Sequence, residues 1–517
     1  MGISPLKHQG SLHTDNKTKA ELLSNQFKSV FTPQIVNESA QMEGTPYPNI
    51  PPLHITQPGV QKLMESLKTN KASGPDNLPA LILKELAPQL SQCLTEIFRQ
   101  SLTSGKLPKD WKDAHIAPIF KKGNRHLAEN YRPVSLTSIC AKMMEHILCH
   151  HIRAHFDHHQ ILNQCQHGFR ARHSCESQLI TTMQDLLQNV EQKRQVDLLV
   201  LDLAKAFDKV PHRQVLQKVE HYGIRGNILA WLSDFLMDRT QSVVVDGEFS
   251  APVPVTSGVP QGTVLGPVLF LAHINDLPSS VKSPTRLFAD DCILYRPILS
   301  EDDHTILQQD LDNLANWASR WGMKFNATKC ETMRVGTIKS NRIYSLDNQP
   351  LREVEHTKYL GVTISNDLSW SRHINNISAK GNSKLGFLWR NLLHCHSNIK
   401  KQAYVSLVRS TIEYCSSVWD PYLKKDIQEL EKVQRRGARF VLNDYHPRSS
   451  VSSLLKELGW DSLELRRKKG RIQMFAKILS KTIAIDSTLL EQADSRTRSN
   501  HRLKFKNIYA RTNSYKN

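Results

Sequence analysis

Runs of apolar residues alternate along this chain with polar stretches, and the lengths of the runs separate strands from helices. Val196 to Leu203 is apolar except for Asp197 and Asp202, and it gives way to the polar, helix-compatible stretch Ala204-Lys205-Ala206-Phe207-Asp208. That length and texture predict a buried strand with Asp202 at its end. Arg286-Leu287-Phe288 and Cys292-Ile293-Leu294-Tyr295 are further strand-like runs, separated only by Ala289-Asp290-Asp291, which predicts a tight hairpin. From about residue 370 to 480 the period changes: Ile427, Leu430 and Val433 recur at helical spacing, and the whole region reads as helical. Near the start, a helix is expected from Asn16 to Val30, followed by the linker-like Pro46-Tyr47-Pro48-Asn49-Ile50-Pro51-Pro52. Beyond about residue 487 apolar periodicity fades, which predicts a flexible tail.

The acidic residues change this picture from a fold to a site. Neighbouring side chains of a straight strand point to opposite faces, so Asp290 and Asp291 can serve one site only because they fall at a turn. If the turn lies beside the end of the Asp202 strand, three carboxylates converge, and leaving them unpaired would cost several kcal/mol per ion. A bound cation removes that cost. Oxygen donors without a His or Cys ligand pattern point to a hard ion, Mg2+, which uses one or two carboxylates together with substrate phosphates. Two such ions at one site suit phosphoryl transfer. Between the acidic segments, Ser257-Gly258-Val259-Pro260-Gln261-Gly262-Thr263-Val264-Leu265-Gly266-Pro267 offers glycines that admit close backbone approach and a Gln261 amide that can both donate and accept.

Phe288-Ala289-Asp290-Asp291 resembles the catalytic hairpin of reverse transcriptases, and Leu201-Asp202-Leu203-Ala204-Lys205-Ala206-Phe207-Asp208 resembles their first catalytic strand. The Gln261 loop between them is similar to the template and nucleotide loop of the reverse transcriptases of non-long-terminal-repeat (LINE-type) retrotransposons of the Jockey and CR1 kind. Lys71-Ala72-Ser73-Gly74-Pro75-Asp76, Ile119-Phe120-Lys121-Lys122-Gly123, Asn130-Tyr131-Arg132-Pro133-Val134-Ser135 and Gln166-His167-Gly168-Phe169-Arg170 extend the likeness upstream. Trp321-Gly322-Met323-Lys324-Phe325 with Lys329, and Lys358-Tyr359-Leu360-Gly361-Val362, extend it downstream.

The resemblance implies an α/β (α+β) right-hand polymerase fold with fingers, a palm built on an antiparallel sheet with helices, and a helical thumb. It implies Asp202, Asp290, Asp291 and the Leu203 carbonyl as metal ligands, with Asp290 touching both ions and Asp291 more peripheral. Lys329 takes the place of a proton donor to departing pyrophosphate. Lys121, Lys122 and Arg132 would hold the triphosphate, Arg132 bidentately and the lysines as point charges. Phe207 would exclude a ribose 2′-hydroxyl, Gln261 and Gly262 would line the nucleotide site, and Tyr359, Leu360 and Gly361 would form the primer grip. The Gln166 segment would support the template path.

Composition agrees with a polyanionic partner: 68 Lys and Arg stand against 49 Asp and Glu, a formal excess of +19. No run approaches the roughly 18 apolar residues of a membrane span, so no membrane partner is expected. The N-terminus has neither a secretory core nor a myristoylation signal. The nine cysteines are scattered and predict reduced thiols, not a zinc site. The expected location is intracellular, in a cytoplasmic ribonucleoprotein and the nucleus. The basic run Arg466-Arg467-Lys468-Lys469-Gly470-Arg471 reads either as a phosphate or nuclear-import element or as a solvated helix face.

The expected organisation is a polar N-terminal lead and linker over residues 1–58, an N-terminal extension and fingers over 59–195, a palm with primer grip over 196–365, a helical thumb over 366–486 and a tail over 487–517. The reverse transcriptase domain as a whole is expected over about 102–365. The expected activity is RNA-directed DNA polymerisation: a primer 3′-hydroxyl extended with dNTPs on an RNA template, with a DNA primer or target as partner and two Mg2+ ions, or Mn2+, as cofactors. An endonuclease domain is expected to be lacking. The alternatives are a decayed or domesticated RNA-binding protein without catalysis, and another palm polymerase.

Overall fold

The computed structural model describes residues 2–32, 41–336, 342–486 and 505. Apart from Phe505, the expected tail over 487–517 lies outside the described residues. The chain forms two compact units. One comprises Met1–Gln164, Leu203–Val281 and Asp312–Asn326; the other comprises Cys165–Asp202, Lys282–Leu311 and Ala327–Asn517. The units do not follow the continuous 59–195 and 196–365 blocks read from sequence, because each sheet draws its strands from separated stretches.

In the first unit a mixed sheet runs in the order Tyr131–Leu136, Asp113–Phe120, Arg239–Val245, Glu248–Phe249, with Val253–Val255 also paired to Arg239–Val245. Asp113–Phe120 is antiparallel to the first of these and parallel to Arg239–Val245. The helix Asn16–Lys28 is capped by Asp15, whose carboxylate accepts from Thr18 N. Its buried Ala20, Leu23 and Phe27 form one cluster with Ala114, Ile116, Val243 and Val245 of the sheet. The N-terminal stretch read as a polar lead is thus partly core: the apolar positions at i, i+3 and i+7 lie on one helical face. The apolar run that follows the Gln261 loop is the helix Gly266–Ile274, buried on nearly every side. Burial all round explains the uniform hydrophobicity that a surface helix would not carry.

The second unit holds a five-stranded sheet in the order Arg352–Glu353, Glu331–Val335, Gln195–Asp202, Asp291–Ile298, Thr285–Phe288. Gln195–Asp202 is central, antiparallel to both neighbours, and its apolar side chains are buried from Val196 to Leu201 save for half-buried Val200. Asp197 is fully buried within this run, and it is satisfied there by the Tyr344 hydroxyl at 2.7 Å and the Gln195 amide at 2.7 Å. The helix Cys175–Glu191 begins with a Ser174/Ser177 capping box and packs Leu179, Met183 and Leu186 into the same core.

Helices Ser371–Leu392, Ser397–Ala403, Lys424–Leu442, Val451–Glu457 and Leu463–Leu479 complete this unit, with a π-helical turn at Tyr404–Arg409. Leu430 and Val433 are fully buried and Ile427 half-buried, as their spacing predicts. The 466–471 basic run is paired within its own unit: Arg466 with Glu413, Arg467 and Arg471 with Asp420 at 2.9 Å each, Lys468 with Glu464, and Lys469 with Asp461. Arg467 is buried. Glu413 and Asp420, remote in sequence, answer the three arginines, and the nearby Glu464 and Asp461 answer the two lysines.

Candidate active site

The hairpin predicted around the aspartate pair is present. Thr285–Phe288 pairs with Asp291–Ile298, Phe288 faces Asp291, and Ala289 and Asp290 make the two-residue turn. Ala289 has φ +55°, a left-handed conformation that a residue with a Cβ seldom adopts. The second strand of the hairpin pairs along its length with Gln195–Asp202, and this register sets Asp291 directly opposite Asp202. Directly opposed residues share a face of the sheet, so these two carboxylates are neighbours and Asp290 stands at the adjoining turn.

Asp202 keeps 42 % of its side-chain surface exposed, and Lys329 Nζ lies 3.4 Å from its Oδ2. The Asp202 N–H donates to Cys330 Sγ at 3.4 Å, so the segment carrying Lys329 is tied to the strand end. A cleft of ≈ 630 Å3 is lined by Asp202, Asp291, Lys329, Arg352, His356 and Lys358, among others. Among the described residues no three His, Cys, Asp or Glu side chains converge closely enough to form a protein-only metal cage. The donor set fits a different kind of site. Mg2+ is ordinarily held by one or two carboxylates, with waters and substrate phosphates supplying the rest, and Asp202 beside Asp291 at the mouth of an open cleft meets that requirement. An ammonium already sits at Asp202, as expected where adjacent like charges favour a cation.

The hairpin His356–Tyr359/Val362–Ser365 also belongs to this unit. Its turn residues Leu360 and Gly361 both have positive φ, +45° and +90°, the geometry of a type I′ hairpin turn. The Tyr414 hydroxyl donates to the Leu360 carbonyl at 3.1 Å, and the Thr363 N–H donates to His373 Nδ1 at 3.2 Å. Tyr359, expected in the primer grip, has its side chain buried, and its hydroxyl accepts from Gln178 Nε2 at 3.4 Å. Strand alternation turns that ring into the core, while Gly361 at the turn is exposed.

The other predicted residues lie in the first unit. Phe207 stacks on buried Phe270, with ring centroids 4.3 Å apart and planes 17° apart, so the ring is held from one side. Gln261 Nε2 donates to Asp208 Oδ1 at 2.8 Å. Ser135 N–H donates to the Gln261 carbonyl at 2.7 Å, fixing the loop against the strand Tyr131–Leu136. Gly262 has φ +103°, and a Cβ there would meet Ser135 O at 2.8 Å, which is why the position is glycine. Lys121, Lys122 and Arg132 are exposed, and Arg132 faces Ile119 across the strand pair. Leu203 has its side chain buried and forms a β-bridge with Phe325.

Two acids of this unit had not been singled out for a role. Asp208 has its carboxyl raised above the ordinary carboxylate value by burial, opposed by the Gln261 hydrogen bond and by the charges of Lys205, Arg132 and Lys121. Glu145 is fully buried and accepts from Val264 N at 2.6 Å and Leu265 N at 3.0 Å, capping the helix Gly266–Ile274. Burial raises its carboxyl too, opposed by those two N–H groups. Nothing local in the sequence marks either partnership; Asp208 lies within the recognised strand motif, and Glu145 within a plain helical pattern.

Residues 119–364 match the family described as reverse transcriptase (RNA-dependent DNA polymerase). This stretch is a reverse transcriptase domain. Its fold is therefore the right-hand polymerase fold, and its mixed sheets and helices agree with that. The chain is 29 % identical to the RNA-directed DNA polymerase from mobile element jockey of Drosophila melanogaster, over 94 % of this chain and 56 % of that protein. It is 28 % identical to the probable RNA-directed DNA polymerase from transposon BS of the same species, over 84 % of this chain and 50 % of the relative. A Pol polyprotein from the type-1 retrotransposable element R2 of Popillia japonica is 27 % identical over 45 % of this chain and 34 % of its own length. The chain thus spans about half the length of the jockey and BS relatives. The reverse transcriptase domain covers every candidate residue named above, from Lys121 to Gly361. Reverse transcriptases generally use divalent metal ions, which accords with the oxygen donors at the strand end.

Proposed function

We propose that this chain is an RNA-directed DNA polymerase of a non-long-terminal-repeat retrotransposon, extending a primer 3′-hydroxyl with dNTPs on an RNA template. The observation that carries this reading is the register pairing of Asp202 with Asp291 beside the Ala289-Asp290 turn, inside a reverse transcriptase domain. When bound by Asp202, Asp290, Asp291 and the Leu203 carbonyl, two Mg2+ ions, with Mn2+ as an alternative, supply the charge that activates the attacking hydroxyl and stabilises departing pyrophosphate.

The chain's own residues do the remaining work. Lys329, with its ammonium at Asp202, is the candidate proton donor to pyrophosphate. Arg132, Lys121 and Lys122 are the triphosphate contacts, since all three lie at exposed positions where a guanidinium can grip phosphate bidentately and an ammonium can act as a point charge. Phe207, stacked on Phe270, is the candidate block to a ribose 2′-hydroxyl. The Leu360-Gly361 turn presents backbone to the primer strand. The formal charge of +19 supports an RNA template and a DNA primer or target as partners; a cytoplasmic ribonucleoprotein and the nucleus are the places of work proposed with them.

The test is dNTP incorporation by the full chain on a primed RNA template, compared with Asp290→Ala. Incorporation by the natural chain and its loss in the variant are expected. Equal incorporation by both, or none by either, would overturn the reading.

A further inference from the structure

A non-glycine residue with φ +55° at the turn before the catalytic aspartates must be held there, and the holder is visible. Gln166 is buried, in the segment that the sequence assigned only to the template path. Its Oε1 accepts from Ala289 N at 2.9 Å and from Gly168 N at 2.7 Å, while its Nε2 donates to Ala289 O at 3.4 Å. Two N–H donors on one oxygen fix the orientation of the amide, because its nitrogen cannot accept them. The side chain thus engages both backbone groups of the one left-handed residue in the turn.

The segment around Gln166 is itself anchored. Leu287 N–H donates to Cys165 O and His167 N–H to Leu287 O, both at 2.9 Å, so residues 165–167 run as a short parallel bridge beside the hairpin. His167 Nδ1 is 3.0 Å from Ser177 Oγ, the capping-box side chain of the helix Cys175–Glu191. A Cβ at Gly168 would collide with Ala289 N, so glycine is required for the approach.

We propose that Gln166 is the positioning residue of the catalytic turn: its amide holds Ala289 in the left-handed conformation and so fixes the direction in which Asp290 and Asp291 point. Gly168 permits the contact and Ser177, through His167, sets its distance from the helix. For its catalytic consequence the proposal rests on the polymerase reading; the backbone restraint does not.

The experiment compares the full natural chain with Gln166→Ala, Gln166→Glu and Gly168→Ala on a primed RNA template over a range of Mg2+ concentrations, and follows amide hydrogen exchange in the 288–292 segment. Loosening the turn misplaces the carboxylates, so kcat in Gln166→Ala should fall by about 10- to 100-fold. The Mg2+ needed for half-maximal rate should rise, with KM for dNTP and affinity for template-primer unchanged. Gln166→Glu, which keeps the acceptor for both N–H groups, should lose less. Gly168→Ala, pushing on the same turn from the opposite sense, should show the same split. Exchange at 288–292 should accelerate in Gln166→Ala while the remaining protected amides hold. Normal kcat and Mg2+ dependence in Gln166→Ala would overturn the proposal, as would an equal loss in Gln166→Glu and Gln166→Ala. If the natural chain itself incorporates nothing, the polymerase reading fails, and the exchange measurement alone decides the clamp: local acceleration upholds it, and unchanged exchange overturns it. Should Gln166→Ala not fold, Gln166→Glu and Gly168→Ala carry the same measurements.

Discussion

Asp291 stands opposite Asp202 in the antiparallel register of two adjacent strands, and the Lys329 ammonium lies 3.4 Å from the Asp202 carboxylate. Two acids on one face repel, so each favours any cation that joins them.

That relationship predicts a coupled loss of metal affinity and chemistry in Asp202→Asn. Mg2+ should raise the melting temperature of the natural chain, because an ion that binds only the folded state stabilises it by mass action. The rise should vanish in Asp202→Asn, and kcat should fall by about a thousandfold, the value of several kcal/mol of transition-state stabilisation. Differential scanning fluorimetry with and without Mg2+, paired with single-turnover incorporation, checks both. A retained Mg2+ shift would remove Asp202 from the ligand set.

The Phe207 ring owes its orientation to Phe270, 4.3 Å away. Phe207→Ala should lower the preference for dNTP over rNTP by about 10- to 100-fold, in the range one lost steric contact is worth. Phe270→Leu should lower it less, by freeing the ring without removing it. The ratio of kcat/KM for the two sugars is the measurement, and an unchanged ratio in Phe207→Ala would exclude the steric role.

Gly361 lies at φ +90° with the Tyr414 ring against it, where an added Cβ would meet Cε1 at 2.9 Å. Gly361→Ala should cost about 1–3 kcal/mol of stability, since it adds a disfavoured backbone conformation to a close contact. Tyr414→Phe removes only the hydrogen bond to Leu360 O and should cost about 1 kcal/mol. Denaturant melts give the order of the two variants; Tyr414→Phe proving the worse would mean that the position accommodates a Cβ.

His373 accepts from Thr363 N and packs edge-on against Trp419, and burial lowers its pKa to about 4 from 6.5. In the unfolded chain it takes a proton below about pH 6.5, while in the folded chain it stays neutral down to about pH 4. The unfolded state therefore binds more protons in that window, and stability falls as pH drops from 6.5 toward 4, by up to about 3 kcal/mol from this group. His167, lowered to about 3 chiefly by burial, adds a loss of the same sign. Melting temperatures of the natural chain and His373→Gln between pH 7 and 4 check this: the variant should show the shallower decline.

The strand ending in Asp202 and the hairpin at Asp290 were legible because a largely apolar run of strand length and a short acidic break between two apolar runs are local patterns. The helix carrying Leu430 and Val433 was legible for the same reason. What stayed hidden depends on side chains meeting across long sequence separations. Gln166 reaches Ala289, Glu145 reaches Val264 and Leu265, and Asp420 neutralises Arg467, and none of these pairs leaves a periodic trace. Tyr359 shows the reverse failure. Alternation along His356–Tyr359 places Thr357 and Tyr359 on the buried side, so the pattern already argued against the contact that the motif suggested.

The pairing of Gln195–Asp202 with strands on both sides makes its length a ruler as well as its sequence a core. A substitution at Val196 or Leu199 changes one contact and leaves the rest in place. Removing or adding a single residue between Gln195 and Leu201 would send every later side chain to the opposite face and slide Asp202 off its partner by one position. Families of this domain that diverge freely in residue identity should therefore show almost no insertions or deletions in this strand, while the stretches joining it to the rest of the sheet vary in length.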